Sequence, residues 1–345
     1  MNTLKEDEKK NVVLHAEGVT QYFPIKNGFG KIVNNVKAVD GVNLDLYEGE
    51  TYGLVGETGC GKSTFGRALI RLLEPTAGKI EIKDTDNFVD ISHMKESELR
   101  RYRKDMQMVF QDPFTSLNPR KKVGQILMEV LEIHNIGKKS DRTELTMKIM
   151  EKVGLRPQHF YRYPHQFSGG QRQRIGLARA LILNPKLIVC DEPVSALDVS
   201  IQSQIINLLQ DLQKNDKLTY LFIAHDMSVI KYISDRIGVM YLGHIVEEAR
   251  NEELFTNTKH PYTQALLAAV PSIEVERKKE RVVLEGELPS PIDPPTGCVY
   301  HTRCQYAKPI CTQVAPVLKE VEKNHKVACL MYDKDLSQNP WEEQK

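Results

Sequence analysis

Gly56-Glu57-Thr58-Gly59-Cys60-Gly61-Lys62-Ser63 spells G-x-x-x-x-G-K-[ST], between the apolar run Thr51–Val55 and a stretch of helical spacing that opens at Ser63. Few chains can carry such a loop without folding as a layered α/β protein. The loop works where a strand feeds it and a helix leaves it. Its glycines let successive backbone N–H groups turn inward on phosphate oxygens, and the helix N-terminus adds positive potential. Lys62 is placed to reach the β- and γ-phosphates, and the Ser63 hydroxyl to ligate Mg²⁺. The loop is a site for a nucleoside triphosphate.

The rest of the chain fits that architecture. Val12–Ala16 and Thr51–Val55 read as strands, with a loop over residues 26–35. Phe65, Ala68, Leu69, Leu72 and Leu73 predict one helix with a buried face, ending before Pro75. Residues 114–166 read as mostly helical, an insertion in the α/β core. Two short apolar runs, residues 186–190 and Thr219–Ala224, flank an amphipathic helix over residues 201–212. Such alternation predicts buried parallel strands. Beyond Pro261 come the charged residues 277–281 and then Pro289, Pro291, Pro294 and Pro295, a linker into a small C-terminal module.

Composition narrows the partners. The 345 residues carry a net charge of +1, with 41% hydrophobic and 27% charged residues. That excludes a disordered chain and gives no overall field toward nucleic acid. No apolar run approaches the roughly 18 residues of a spanning helix. Residues 1–11 are charged, without the apolar region of a secretory signal, so a cytosolic chain is expected.

Leu187-Ile188-Val189-Cys190-Asp191-Glu192 supplies the second chemical element. An apolar strand ends in Asp191, expected at the Mg²⁺ shell, and Glu192 follows as general base for a water in line with the γ-phosphate. Ser168-Gly169-Gly170-Gln171 opens another helix and forms a further anion site of N–H groups and a hydroxyl. A second γ-phosphate site on one chain is redundant unless two chains pair head to tail, each capping the other's nucleotide.

With these motifs in this order, the sequence resembles the ABC-type ATPases over residues 12–250. The resemblance implies a P-loop core of α/β class with an inserted α-helical subdomain at about residues 112–168 and an antiparallel β subdomain. The nucleotide-binding domain then covers residues 1–260. It also implies roles residue by residue. Phe23 lies under the adenine, with Tyr22 as alternate, and the ATP loop runs from Gly56 through Lys62 and Ser63 to Thr64. Gln111 senses Mg²⁺ and the attacking water, Ser195-Ala196-Leu197-Asp198 crosses between subunits, and His225 contacts the γ-phosphate. Phe167 stands where Leu is more usual before the signature.

Three stretches resemble the oligopeptide and dipeptide importer ATPases in particular, and within them the second (F-type) subunit: Gln111–Arg120, His260–Leu267, and the tail with Cys298, Cys304, Cys311 and Cys329. This resemblance implies an ATP-hydrolysing subunit that powers peptide import from the cytoplasmic face of the membrane. Its partners are a homologous ATPase subunit, two permease subunits and, indirectly, an extracytoplasmic peptide-binding protein. Nickel importers share much of the pattern. A soluble ATPase of DNA repair or translation is a further alternative, disfavoured because this chain has one copy of each motif.

The four cysteines of residues 298–329 offer enough thiolates for zinc or for an iron–sulfur cluster. Structural zinc usually draws on C-x₂₋₄-C pairs, which this tail lacks. The wider spacing suits a [4Fe–4S] cluster, and the importer ATPases that the tail resembles carry one. Cys60 and Cys190 read as a loop residue and a small apolar strand residue.

Overall fold

The computed structural model describes residues 11–85, 87–112, 116–269, 287–333 and 341. Pro113, Phe114 and Thr115 of the importer-like stretch, and the charged residues 277–281, lie outside the described residues. The principal elements are β1 (Val12–Lys26), β2 (Ile32–Tyr47), β3 (Thr51–Val55), α1 (Lys62–Leu69), β4 (Ala77–Asp84), β5 (Asn87–Asp90) and β6 (Met106–Val109). Then come α2 (Val123–Ile133), α3 (Lys139–Lys152), α4 (Gly169–Leu181), β7 (Leu187–Asp191), α5 (Val199–Asp216), β8 (Thr219–Ala224) and α6 (Met227–Ile233). The chain continues through β9 (Arg236–Tyr241), β10 (His244–Arg250), α7 (Asn251–Thr256), α8 (Pro261–Ala268), β11 (Lys319–Glu322) and β12 (His325–Val327). The described residues form two compact units, one built on residues 45–51 and 82–223, the other on 15–44, 52–81 and 224–345.

In the first unit, β7 lies between β6 and β8, parallel to both. All five residues of β7 are buried, which is why its sequence runs apolar instead of alternating. The insertion is helical, as expected, and its helices begin where backbone N–H groups find side-chain acceptors. The Lys122 N–H donates to Gln125 Oε1 at 2.9 Å, and the Lys138 N–H to Asp141 Oδ2 at 3.0 Å. Single-turn helices at Pro157–Tyr161 and Pro164–Gln166 then lead the chain into α4. Helix α5 buries Ile205, Ile206, Leu209 and Leu212 on one face and stops at Lys217, whose φ is 53°.

In the second unit, β11, β12, β10, β9 and β3 are neighbours in that order. β3 runs parallel to β9, and the other pairs are antiparallel. The C-terminal hairpin β11–β12 therefore continues the sheet that β10 began, with Glu247 opposite Val327. β2, β1 and β4 make a separate layer, and the β1–β2 turn is tied by the Asn27 carboxamide, which accepts from the N–H groups of Phe29 and Lys31.

Helix α1 is shorter than its apolar spacing predicts. It ends at Leu69, and Leu72 is 43% exposed. Arg71 turns left-handed at φ 56°, so that its N–H bonds Ala68 and the Leu72 N–H bonds Arg67. That paired closure satisfies the last carbonyls and ends the helix before Leu72 and Leu73 can join its face.

Candidate functional site

Residues 56–64 form the expected turn between β3 and α1. Gly61 caps α1 at φ 107° with no side-chain acceptor on the helix N-terminus. A Cβ on Gly61 would collide with the Ala38 carbonyl, and one on Gly56 with the Met240 carbonyl, so the loop admits only hydrogen at both positions. Lys62 is buried, and its ammonium donates to the carbonyls of Gly56 at 2.8 Å and Glu57 at 2.9 Å. Thr58 and Gly59 are exposed, while Ser63 and Thr64 are half-buried at the start of the helix. The Cys60 side chain is buried, which raises its thiol pKa despite the neighbouring Lys62 charge. Of the two candidate adenine-side rings, Tyr22 is held by its hydroxyl on Asp40 Oδ1 at 2.8 Å, and burial with that bond lifts its pKa to about 12. Phe23, the other candidate, is 38% exposed.

In the other unit, Asp191 ends β7 fully buried, and Glu192 follows at φ 45°. A glutamate in the left-handed region is uncommon and costs conformational energy. Three bonds hold it there: its N–H donates to Ile223 O at 3.0 Å, and its carbonyl accepts from Ser195 Oγ at 3.1 Å and Ser195 N at 3.3 Å. Its carboxylate accepts from Gln111 Nε2 at 3.0 Å. The structure thus brings together Gln111 and Glu192, 81 positions apart, the carboxamide donating to the carboxylate. Ser63, Gln111 and Asp191 all offer hard oxygen donors, the chemistry that Mg²⁺ requires. His225 is exposed just past β8, and the next residue, Asp226, caps α6 by accepting from the Ser228 N–H at 2.7 Å.

Ser168 is the N-cap of α4. Its hydroxyl accepts from Gln171 N at 3.4 Å, while its own N–H donates to Gln171 Oε1 at 3.2 Å. This reciprocal pair explains the Ser and Gln at that spacing and fixes the angle at which the signature leaves the helix. Phe167 is buried edge-on to His159, with ring centroids 5.1 Å apart. A Cβ on Gly169 would stand 3.3 Å from Leu197 Cδ2, so the signature abuts the 195–198 loop, where Ala196 and Asp198 line the outer side. Beside Ser168 opens a groove of about 790 Å³ lined by Arg156, Arg162 and Arg174, a basic setting suited to an anion.

The structure adds two residues to the phosphate loop that its motif does not contain. The Glu57 N–H donates to the Tyr262 hydroxyl at 2.8 Å, and the Glu57 carboxylate pairs with Arg303. Tyr262 belongs to the His260–Leu267 stretch, whose local design is now visible. His260 Nδ1 accepts from the Tyr262 N–H at 3.1 Å, and Pro261 occupies the first helical position. Burial lowers the His260 pKa to about 4 and so keeps this capping imidazole neutral. Tyr241, Tyr262 and Tyr300 pack with centroids 4.7 to 5.4 Å apart, joining α8 to the cysteine-bearing tail. The motif carried no signal for Arg303, which lies beyond the proline-rich segment.

Cys298, Cys304, Cys311 and Cys329 line one small cavity of about 20 Å³, none of them in a disulfide. Burial makes three of them costly to ionise: the Cys298 pKa rises to about 11, that of Cys329 to about 12 and that of Cys304 upward as well, with the nearby thiols adding to the rise. Four thiols gathered in one place are the donor chemistry that a soft metal ion or an iron–sulfur group takes.

No helix among the described residues is long and apolar enough to cross a membrane. The ABC transporter family model matches residues 39–195, and the model of the oligopeptide/dipeptide transporter C-terminal region matches residues 246–311. The chain is 55% identical to the oligopeptide transport ATP-binding protein AppF of Bacillus subtilis (strain 168), over 94% of this chain and 98% of that protein. It is 53% identical to the oligopeptide transport ATP-binding protein OppF of Salmonella typhimurium, over 94% and 98%. Among solved structures, the dimeric form of a bacterial ABC transporter cassette matches with a TM-score of 0.60 at 28% identity, over 69% of this chain and 98% of that one. The chain belongs to the ABC transporter ATP-binding family, in the branch that carries the oligopeptide/dipeptide transporter C-terminal region.

Proposed function

We propose that this chain is the ATP-hydrolysing subunit of a di- and oligopeptide importer, docked on permease subunits at the cytoplasmic face of the membrane and paired with a homologous ATPase chain. The observation that carries the peptide assignment is the C-terminal match at residues 246–311, whose Tyr262 and Arg303 hold the phosphate loop. In this reading residues 1–260 are the cassette, residues 112–168 its contact with the permease, and residues 261–345 the importer-type module.

The chemistry follows from the residues. Lys62 and the N–H groups of the loop bind the phosphates, and Phe23 stacks on the base. Ser63, Gln111 and Asp191 would hold Mg²⁺, which would supply charge neutralisation to the phosphates. Glu192 takes the proton of the attacking water while Gln111 fixes its carboxylate, and His225 steadies the γ-phosphate. Ser168–Gln171 close over the partner's nucleotide, with the Ser195–Asp198 loop running between the subunits. Cys298, Cys304, Cys311 and Cys329 hold a [4Fe–4S] cluster.

The test is the chain assembled with its permeases and binding protein in vesicles. Peptide-loaded binding protein should raise ATP hydrolysis several-fold. Stimulation by nickel instead of peptides would move the assignment to the metal importers, and co-purification with ribosomes or DNA, without permeases, would end it.

A further inference from the structure

Away from the nucleotide and cysteine sites, Glu247 is fully buried in β10 and accepts three donors. Lys259 N bonds Oε1 at 2.8 Å, His260 N bonds Oε2 at 3.1 Å, and His325 Nε2 bonds Oε1 at 2.7 Å. A carboxylate that already accepts two N–H groups leaves His325 only one tautomer at that contact, with the hydrogen on Nε2. The other ring nitrogen, Nδ1, is buried with no hydrogen-bond partner among the described residues. A buried ring nitrogen without a partner calls for an explanation.

The surroundings of His325 supply one. One ligand atom from each of Glu253, Glu322 and His325 lies within 4.8 Å of the other two. Glu253 is on α7, Glu322 ends β11, and His325 opens β12. Asn257 Nδ2 bridges the two carboxylates, at 2.7 Å from Glu253 Oε1 and 2.8 Å from Glu322 Oε2. Lys259 Nζ sits 2.7 Å from Glu322 Oε1. Two carboxylates, one imidazole lone pair and a further carboxylate behind the imidazole form a donor set found where a divalent ion is bound, the rear carboxylate orienting the ring.

We propose that Glu253, Glu322 and His325 Nδ1 bind a divalent first-row cation such as Mn²⁺, with Glu247 positioning the imidazole. The ion would tie α7 to the β11–β12 hairpin and give the orphaned nitrogen its partner. Oxygen and imidazole donors without thiolate set this site apart from the cysteine tail, which selects softer ions. Lys259 offsets the carboxylate charge and competes with the ion for Glu322.

The probe is Mn²⁺ titrated into the nucleotide-free full-length chain, with bound ion read from loss of the free-ion electron paramagnetic resonance signal. One saturable equivalent is expected. Glu253→Gln and Glu322→Gln, isosteric changes outside the buried core, should each weaken it by about ten-fold or more. Lys259→Met should tighten it, a result that a purely structural role for the carboxylates does not produce. Mn²⁺ should also raise the melting temperature of the native chain and leave that of Glu322→Gln unmoved. Absence of saturable uptake below about 1 mM overturns the proposal. So does uptake that neither glutamate substitution changes, which would place the ion elsewhere.

Discussion

Arg303 holds Glu57 through one guanidinium nitrogen placed 2.9 Å and 3.1 Å from the two carboxylate oxygens, across 246 positions of sequence. The arginine side chain is 6% exposed and that of the glutamate 24%. A residue beside Cys304 therefore sets the posture of the phosphate loop. Arg303→Met should leave the Glu57 carboxylate unpaired at a partly dry site, at a cost of about 2–3 kcal/mol. ATP affinity should fall while the bound-state turnover rate changes less, because no group on the reacting atoms is lost. Separate measurement of KM and kcat checks this, and an equal fall in both with unchanged ATP binding would contradict it.

Glu192→Gln keeps every phosphate contact and removes the base. Turnover should drop by about 10²-fold or more, with ATP still bound and ATP-held dimers accumulating. Gln111→Ala should lower turnover less, since it leaves the base in place but unoriented. Size-exclusion with ATP and the partner subunit, beside steady-state hydrolysis, reads both effects. Near-normal hydrolysis by the Glu192→Gln protein would remove Glu192 from the role.

Ser168→Arg and Gly169→Asp place bulk or negative charge at the signature, and the aspartate side chain in the second variant also meets Leu197. In the proposed head-to-tail pair the signature serves the nucleotide on the other subunit, so both should cripple hydrolysis by the assembled pair while the isolated chain keeps its ATP affinity. An isolated mutant chain that no longer binds ATP would refute action in trans.

Protein purified without oxygen should be brown, with iron and acid-labile sulfide near four each per chain. Cys304→Ser or Cys311→Ser should bleach it and expose the tail to proteolysis, and ATP affinity should weaken with it through Arg303. Stoichiometric zinc without iron, in protein never exposed to air or added zinc, would end the cluster assignment.

His260 makes stability depend on pH. Its folded pKa lies near 4 against an ordinary 6.5, so between those values the unfolded chain binds a proton that the folded one refuses. Stability from this group is intact above about pH 6.5 and declines as pH falls toward 4, by about 1.4 kcal/mol per unit and about 3 kcal/mol in all. His134, His159 and His244 are lowered as well and act in the same sense. His260→Asn, which can still cap α8, should flatten the slope by as much as one proton in urea unfolding series at pH 7 and 5. An unchanged slope would show that His260 is protonated alike in both states.

The elements legible in the sequence are those whose geometry is local. The loop at 56–63, the Asp191–Glu192 strand end and the Ser168–Gln171 cap each occupy a few consecutive residues, where spacing alone dictates which atoms meet. The extent of α1 is not legible in this way, because its stop depends on the φ of Arg71, which apolar periodicity does not report. Tyr262 is visible only as part of a family-like stretch, without its bond to Glu57. Arg303 on Glu57, and His325 on Glu247, are pairings of distant segments decided by how β12 docks on β10 and how the tail folds back. No window of sequence contains both members.

The left-handed backbone at Glu192 sets stability against activity. Glycine or asparagine would occupy that conformation more cheaply, by about 1 kcal/mol, but neither carries the carboxylate that the proposed mechanism uses as its base. Mutational drift at this position thus runs downhill toward a sturdier and silent protein.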